Sequence, residues 1–433
     1  MIRLIYNLLF PIGLLIFLPG YLLKMRRRGN FRRNFGQRFG IYSDEVRARL
    51  GSRSSTWIHA VSVGEVAVAL KLAMQLRQLD SGFRCVLTTT TTTGFAVAEK
   101  QAGEWLEVLY NPLDFLPIVR RAFRVIRPVR IVLVEAEVWP NLVAEARQRG
   151  IPIALVNARL SARSELRFRR FRRFVAQTFR CLDLVCVQEA RDVGRWESLG
   201  IERDRIREVG SIKFDPTDFA SAPSLSLEDL ASFGLDAGSP VLFGGSTHPG
   251  EEEILAVAFL QLRNTFPLLS LVIAPRHVER VTEIRARLEQ LGLRVAQKSE
   301  PQAANGAPDC LLIDTTGELA SWYAVATVVF MGKSLTTNGG QNPVEAILAG
   351  RPVIFGPHME NFAALAQSLL AHNAAVQIAE AAGLEGAVAA LLRDPTARER
   401  LVQNAQRVVA QHRGATERTA SLLMKLVSAA PRA

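Results

Sequence analysis

The chain has 433 residues, of which 48% are hydrophobic and 22% are charged, and it carries a formal net charge of +12. This length and composition are typical of a globular protein with substantial cores, and they favour two domains over one. The four cysteines are scattered, which excludes a dense disulfide framework and paired zinc ligands and predicts buried thiols in a reducing compartment at Cys85, Cys181, Cys186 and Cys310.

An apolar segment opens the chain at residues 4–23, and the basic run 24–28 follows it. The segment is about as long as a bilayer crossing requires, although Asn7, two prolines and two glycines interrupt it. We interpret residues 1–25 as a retained membrane anchor rather than a cleaved signal peptide, either spanning the bilayer or lying deep in one face. Because basic residues follow the segment, the positive-inside rule predicts that the rest of the chain is cytoplasmic.

Much of the positive charge lies in two clusters, residues 24–38 and residues 159–173. The second cluster interleaves Phe168 and Phe171 with arginines, a spacing that suits a helix with an apolar stripe and a basic face. We expect both clusters to contact anionic membrane lipids. A nucleic-acid patch and a merely solvated helix face are the alternatives, and nucleic acid leaves the anchor without a role.

From residue 57 onward, strand-like and helix-like patterns alternate, which predicts βαβ units around a parallel sheet. The predicted strands of the first domain are 57–61, 84–90, 108–110, 129–134, 153–157, 184–187 and 206–209.

Glu65 follows the first strand and precedes the helical pattern 66–76, the position where open α/β sheets bind ligands. Its carboxylate either only caps the helix or acts as a general base. We expect the threonine run 88–93 to cap the next helix through Thr93 or to line the crevice.

A linker is predicted at residues 214–227, after which alternation resumes with strands 241–243, 269–273, 311–313, 325–330 and 352–355. Residues 383–428 read as a helical tail. The chain is therefore predicted to be an α/β protein with an anchor at 1–25 and two Rossmann-like domains, 26–215 and 216–433, that face a cleft.

Polar groups stand at several strand ends of the second domain. A glycine-rich turn with Gly245 and Ser246 lets backbone N–H groups approach an anionic ligand. Further on, a glycine turn precedes Asn342-Pro343-Val344-Glu345 at a helix start, where Glu345 is placed to accept hydrogen bonds from ribose hydroxyls. These features predict a nucleotide site.

Taken together, the ordered motifs resemble those of the lipid A-specific 3-deoxy-D-manno-octulosonic acid (Kdo) transferases, glycosyltransferase family 30. These are membrane-anchored enzymes of the two-Rossmann GT-B architecture. The resemblance rests on Phe31–Gly40, His59–Glu65, Glu135–Asn141, Asn157–Ser161, Gly210–Asp215 and the second-domain motifs. It implies an inverting transfer of Kdo from CMP-Kdo to a lipid A precursor (lipid IVA), at the cytoplasmic face of the cell inner membrane.

The resemblance also implies residue roles. Glu65 falls on the family's catalytic base, and Glu135 and Lys213 fall on its charge-stabilising positions. The CMP contacts fall on Pro275, Arg276, Thr316, Gly317, Glu318, Asn342, Pro343, Val344 and Glu345. Small departures from the family pattern occur at Ala136, Gln341 and Val344.

We expect no metal and no other cofactor, because the chain has no Asp-x-Asp triplet and its histidines lack metal-ligand spacing. His248 and His277 remain open as site residues or ordinary loop histidines. The competing functions are a GT-B enzyme that uses a UDP-sugar and a non-catalytic membrane adaptor.

Overall fold

A computed structural model describes residues 2–27, 34–51, 53–160, 162–215, 230–236, 238–300 and 307–426. The predicted linker therefore lies outside the described residues beyond Asp215, and so do residues 28–33 of the predicted basic cluster. Contacts divide the chain into two units: the first is Met1–Asp215 with Gly414–Ala433, and the second is Pro216–Arg413.

Among the described residues, the first unit contains a seven-stranded sheet with the order β3-β2-β1-β4-β5-β6-β7. Its strands are β1 Ser55–His59, β2 Cys85–Thr89, β3 Leu106–Tyr110, β4 Pro128–Val134, β5 Ile153–Ala158, β6 Leu184–Val187 and β7 Ile206–Glu208. Neighbouring strands pair in parallel, with Ile58 opposite Leu87 on one side and Val132 on the other. The strand order reverses between β1 and β4, which is where a doubly wound sheet opens its ligand crevice.

Helices cover this sheet, which is why its central strands are nearly continuous apolar runs rather than alternating ones. All five residues of β1 and of β2 are buried. The helices are α1 Ile2–Arg27, α2 Asp44–Leu50, α3 Val63–Leu79, α4 Thr92–Glu99, α5 Leu116–Ile126, α6 Pro140–Gln148, α7 Ala162–Arg170, α8 Arg172–Phe179 and α9 Ala190–Glu197, with short 3-10 turns at Phe35–Phe39, Arg203–Arg205 and Ile212–Phe214.

The predicted anchor forms helix α1, but none of the helices in the described ranges is long and apolar enough to cross a membrane. Its first turns are docked on the first unit. Asn7 and Asn141 exchange side-chain hydrogen bonds of 2.9 and 3.0 Å, and Phe10 stacks on Phe115 at 5.6 Å between ring centroids. The outward side of the helix exposes large aliphatic side chains, namely Leu4, Ile5, Leu8, Leu9, Ile12, Leu15 and Ile16.

The basic segment predicted as one amphipathic helix is instead two, α7 and α8, which meet at Phe171. Phe168 turns inward and packs edge-on against Phe179 at 5.4 Å, whereas Phe171 is 50% exposed. The prediction of one shared apolar stripe is therefore wrong for this pair.

In the described part of the second unit, the sheet also has seven strands, in the order β10-β11-β9-β8-β12-β13-β14. Its elements are β8 Val241–Thr247, α10 Glu251–Arg263, β9 Ser270–Pro275, α11 Val281–Gln290, β10 Val295–Gln297, β11 Cys310–Leu312, α12 Leu319–Trp322, β12 Val328–Met331, α13 Val344–Leu348, β13 Val353–Phe355, α14 Ala363–Ala371, β14 Val376–Gln377, α15 Gly383–Arg393 and α16 Pro395–Ala410, with 3-10 turns at Val278–Arg280, Tyr323–Val325 and Glu360–Phe362. All named pairings are parallel, and the reversal here lies between β8 and β12.

The last helix, α17 Ala415–Lys425, belongs to the first unit, whereas the sequence had placed it in the tail of the second domain. The cause is Asp215, whose fully buried carboxylate accepts hydrogen bonds from the backbone N–H of Gly414 (3.0 Å) and Thr416 (2.8 Å). Ala420 and Leu423 of α17 are buried in the same core as β1 and α3. The helix thus closes the first unit, although it follows the second unit in sequence.

Candidate active site

Glu65 lies in the first turn of α3, directly after the turn that leaves β1. Its Oε2 accepts the backbone N–H of Val61 at 2.9 Å, and its Oε1 accepts the hydroxyl of Ser62 at 2.9 Å and the backbone N–H of Ser62 at 3.3 Å. Ser62 Oγ in turn accepts the N–H of Glu65, so the two residues form a reciprocal capping box. Glu65 therefore caps α3, and these bonds hold its side chain in one orientation.

The threonine run supports this turn from the neighbouring strand. The hydroxyls of Thr89 and Thr91 donate to the carbonyl oxygen of Val61 at 3.2 and 3.1 Å, while the N–H of the same residue holds Glu65. Thr91, not Thr93, caps α4, by accepting the N–H of Gly94. The sequence predicted a threonine cap but placed it two residues too late, because the helix begins at Thr92.

Glu135 begins the turn after β4, on the other side of the strand-order reversal from Glu65. It is a non-glycine residue with φ of 62°, a left-handed conformation that β-strands rarely end on. Burial raises the pKa of Glu135, the charge of Glu65 raises it further, and Arg159 and Lys213 lower it. Glu65 and Lys213, the two other predicted catalytic residues, therefore both lie close enough to Glu135 to affect its pKa.

Glu137 is the second carboxylate of the Glu-x-Glu pair, for which position alone left two roles open, orienting a sugar or capping the helix that begins near Trp139. The side chain of Asp114 caps that helix instead, by accepting backbone N–H groups of its first turn. Burial raises its pKa to about 7, with further contributions from the charges of Glu65 and Glu135, while a hydrogen bond with Trp139 opposes the shift. Burial and two acidic neighbours thus act in the same direction, and Glu137 keeps its proton to near neutral pH. The Glu-x-Glu spacing was the available signal, but only the turn geometry shows that both side chains reach the site.

Lys213 lies in the 3-10 turn Ile212–Phe214, and Asn157 holds the two residues that precede it. Asn157 accepts the hydroxyl of Ser211 and the N–H of Ile212, each at 3.2 Å, through its side-chain oxygen. Burial lowers the pKa of Lys213, and the neighbouring Glu135 raises it. Lys213 and Arg159 therefore balance the carboxylates, and the cluster combines a hydrogen-bonded carboxylate with two cations at a ligand-binding position.

In the second unit, the predicted glycine-rich turn is instead the last part of strand β8, because Gly244 and Gly245 pair with β12 at the strand-order reversal. A side chain at Gly245 would place its Cβ 2.5 Å from the hydroxyl of Tyr323, and one at Gly332 would place its Cβ 2.1 Å from the carbonyl oxygen of Ser246. Ser246 itself has φ of 53° and is buried. Glycine is required here because two strand ends and a tyrosine approach one another closely.

Glu251 stabilises the same region, although it is one of three consecutive glutamates and no motif distinguishes it. The residue is fully buried, and its carboxylate accepts four backbone N–H groups at 2.7 to 3.0 Å. These belong to His248, Lys333, Ser334 and Leu335. The side chain thus joins the loops that follow β8 and β12, which no local pattern in the sequence reveals.

Cationic groups gather at this edge. Burial lowers the pKa of His248 to about 4, and the charges of Lys333, His277, Arg280 and Arg276 lower it further. The rings of His248 and His277 lie 5.7 Å apart. His248 is therefore neutral at pH 7 and stands among several positive charges, a setting suited to an anionic ligand. Pro275 is buried below this edge, while Arg276 is exposed.

The remaining predicted donor residues occupy two other strand ends of the second unit. Glu345 lies in the first turn of the five-residue helix α13, and burial raises its pKa; the side chain of Asn342 accepts the N–H of Val344 at 3.2 Å. Thr316 and Gly317 are exposed after β11, and Glu318 is ion-paired with Lys298. Pro343 and Val344 are buried and position this helix rather than present polar groups.

No group of three or more potential metal ligands occurs among the residues that the structure describes. His59, one of the histidines in the first-unit motif, is fully buried, and burial lowers its pKa to about 4. It is therefore neutral at pH 7 and is a part of the strand packing.

This fold, with two parallel-sheet units and functional groups at the strand-order reversals, defines an α/β protein similar to GT-B glycosyltransferases. A solved glycosyltransferase of kitacinnamycin has a TM-score of 0.52 and 16% identity, and the match covers 87% of this chain and 100% of that one. Likeness at this identity shows the fold alone.

Sequence comparisons identify the family. The family model of 3-deoxy-D-manno-octulosonic-acid transferase (kdotransferase) matches residues 33–216. The 3-deoxy-D-manno-octulosonic acid transferase of Bordetella pertussis is 34% identical, covering 90% of this chain and 93% of the relative. That of Haemophilus influenzae is 31% identical, covering 91% of each. The chain belongs to the 3-deoxy-D-manno-octulosonic acid transferase family, and it is a glycosyltransferase that transfers Kdo in lipopolysaccharide biosynthesis.

Proposed function

We propose that this protein transfers Kdo from CMP-Kdo to a hydroxyl of a lipid A precursor at the cytoplasmic face of the inner membrane. The observation that carries the proposal is the first-unit cluster, in which Glu65 is fixed by three donors beside Glu135, Glu137, Lys213 and Arg159. Family membership supports Kdo as the transferred sugar, and the charges and hydrogen bonds of the cluster support the roles proposed for its residues.

In this proposal Glu65 is the general base. A carboxylate offers about four acceptor positions, and the described residues donate three hydrogen bonds to Glu65, two of them to Oε1 and one to Oε2. One position on Oε2 is left for the hydroxyl proton of the acceptor. As Glu65 takes this proton, the hydroxyl oxygen bonds to the anomeric carbon of Kdo, the bond from that carbon to the phosphate oxygen breaks, and CMP leaves. A single displacement inverts the anomeric centre.

The cations have complementary roles. Lys213 and Arg159 offset the negative charge of Glu135, while Arg276 and Lys333 of the second unit hold the phosphate and carboxylate of the donor. Glu345 then accepts hydrogen bonds from the ribose, with Gly245, Ser246 and residues 316–318 lining the nucleotide.

Attachment to the membrane is assigned to α1 as an interfacial helix. One side of the helix is fixed to the first unit through Asn7 and Phe10, and the other exposes an aliphatic row that includes Leu8, at 66% exposure, and Leu15, at 72%. Such a helix inserts its apolar side into one leaflet, and the adjacent basic segments attract anionic lipid.

The experiment is acceptor-dependent release of CMP. Purified protein is incubated with CMP-Kdo, with and without a tetraacylated lipid A precursor, and UDP-sugars replace CMP-Kdo in a parallel series. The proposal predicts CMP release that requires the lipid and no release of UDP. Turnover of a UDP-sugar, or CMP release that is independent of the lipid, contradicts the proposed donor or acceptor.

A further inference from the structure

An apolar groove lies between α1, α6 and α8 of the first unit and has no role in the chemistry above. Its volume is about 590 Å³, and its walls include Ile5, Leu9, Phe10, Val143, Ala144 and Val175. This volume is within the range of roughly 300–1,000 Å³ typical of small-molecule sites. We call it the α1–α6 groove.

Hydrogen bonds hold the walls of the α1–α6 groove in place. Asn141 is fully buried at the start of α6, and its side chain bonds both Asn7 of α1 and the carbonyl oxygen of Asp114, at 3.0 and 2.7 Å. The carboxylate of Asp114 accepts the N–H groups of Asn141 and Leu142, each at 2.9 Å. The groove is therefore a preformed feature of the fold rather than a gap beside a loosely attached helix.

The open side of the groove continues into the aliphatic row of α1. Ile5 and Leu9 line the groove and also belong to that row, with exposures of 47% and 58%. A chain that occupies the groove would thus leave it directly into the surface that we assign to the lipid leaflet. This continuity favours a hydrocarbon chain over a polar ligand.

One wall of the groove is covalently continuous with the carboxylate cluster. Pro140 lines the groove and is the first residue of α6, and the turn that precedes it carries Glu135 and Glu137. A lipid chain that lies along α6 therefore contacts the helix that directly follows the turn with two carboxyl groups of the proposed active site.

The neighbouring charges favour an anionic headgroup. The segment α7–α8 carries Arg167, Arg169, Arg170 and Arg172 against a single acidic residue, Glu165. Of these, Arg169 is paired with Glu165 at 2.9 Å. Since α8 also supplies Val175 to the groove, the basic segment and the apolar wall are parts of one surface.

We propose that the α1–α6 groove binds one fatty acyl chain of the phosphorylated glycolipid acceptor. This inference rests on the proposed function and adds a subsite to it. The bound chain fixes the acceptor relative to α6, so that binding energy from a part of the lipid remote from the reacting hydroxyl contributes to transfer. Chain length then becomes a determinant of acceptor recognition.

The first test varies the acceptor and fills the groove. For the wild-type protein, the KM for acceptors that differ in the length of one chain should rise up to about fourfold for each methylene removed, the equivalent of about 0.8 kcal/mol. Ala144→Phe should raise the KM for the long-chain acceptor at least about tenfold, and should abolish the dependence on chain length. Ala286→Phe, on the exposed side of α11 in the second unit, is the matched control and should behave as wild type.

The second test uses the wild-type protein and so does not depend on a variant that folds. Cys181 lines the groove and is partly exposed, whereas Cys85, Cys186 and Cys310 are buried. The long-chain acceptor should slow the reaction of Cys181 with a small thiol reagent several-fold, and Cys181→Ser identifies the reacting thiol.

The outcomes separate the two proposals. If no acceptor receives Kdo, the proposed function fails. The groove proposal alone fails if transfer occurs but neither test responds. In that case KM is unchanged by chain length and by Ala144→Phe, and the acceptor does not slow the reaction of Cys181. Equal protection of Cys181 by an anionic phospholipid with the same chains would also overturn it, because the groove would then hold a bilayer lipid rather than the acceptor.

Discussion

Replacing Glu65 with glutamine separates the two roles that this residue combines. Glutamine has the same shape, and its side-chain oxygen can still accept the N–H of Val61 or Ser62, as Glu65 does at 2.9 and 3.3 Å. Glutamine is also accepted at the third position of a capping box. The substitution therefore preserves most of the cap but removes the negative charge that takes up a proton.

The magnitudes differ enough to be measured in one experiment. Loss of a general base typically costs about 10²–10⁴ in rate, equivalent to about 3–5 kcal/mol in activation free energy. Complete loss of an N-terminal cap costs only about 0.5–2 kcal/mol of stability, and Glu65→Gln retains part of it. We therefore expect a fall of at least about 100-fold in turnover, a change below about 1 kcal/mol in unfolding free energy, and unchanged CMP affinity.

The assay compares initial rates of acceptor-dependent CMP release with urea unfolding of the same preparations. Ser43→Ala is the matched control, because Ser43 caps α2 by accepting the N–H of Val46 and lies outside the carboxylate cluster. It should lose about 1 kcal/mol of stability and keep its turnover. Turnover of Glu65→Gln within a few-fold of wild type would exclude a general-base role for this carboxylate.

The remaining predictions concern the pKa of Glu137, the close contact at Gly245 and the metal requirement of the reaction. Glu137, with its pKa raised from 4.5 to about 7, keeps its proton in the folded protein over a range where the unfolded chain has lost it, so wild-type stability falls between these pH values. Glu137→Gln removes this term, and its unfolding free energy relative to wild type should rise by up to about 3 kcal/mol between pH 4 and pH 8; a pH-independent difference contradicts the shift. Gly245→Ala places a Cβ 2.5 Å from the Tyr323 hydroxyl and should cost about 1–3 kcal/mol in thermal unfolding and weaken CMP binding, whereas Gly386→Ala, with open space around it, should do neither. Transfer should persist in a chelator, and complete loss of activity that Mg²⁺ restores would contradict a metal-independent reaction.

Local patterns predicted most of the fold, because parallel strands that are buried on both faces appear in the sequence as short apolar runs. All twelve predicted strands are present, with boundaries shifted by up to four residues. The two unpredicted strands, Val295–Gln297 and Val376–Gln377, have three and two residues, too few to show a periodicity. They become strands only because they extend an existing sheet edge.

The parts of the site that the sequence could not predict depend on contacts between distant segments. Glu251 is one of three adjacent glutamates, and only its bonds to residues 333–335 distinguish it. The pKa of Glu137 depends on Glu65, which is 72 positions away in sequence. The order of strands in the sheet determines which distant residues come into contact. A sequence motif identifies a residue but does not show its contact partners.

The N-terminal segment shows a different limit. Hydropathy alone left residues 4–23 as a span or an interfacial anchor, because a sum over residues does not show which side of the helix is covered. Asn7, an interruption in the apolar pattern, is the residue that docks the helix on Asn141. The polar exceptions in an apolar segment were therefore the informative positions.

Mass spectrometry of the lipid product is the decisive measurement of Kdo transfer. The purified protein is incubated with CMP-Kdo and a tetraacylated lipid A precursor, and the mass of the lipid is measured before and after. We expect a mass increase equal to one or more Kdo residues with wild type and with Ser43→Ala. The same product should form at least about 100-fold more slowly with Glu65→Gln. An unchanged lipid mass with a folded, CMP-binding wild-type protein would contradict this expectation.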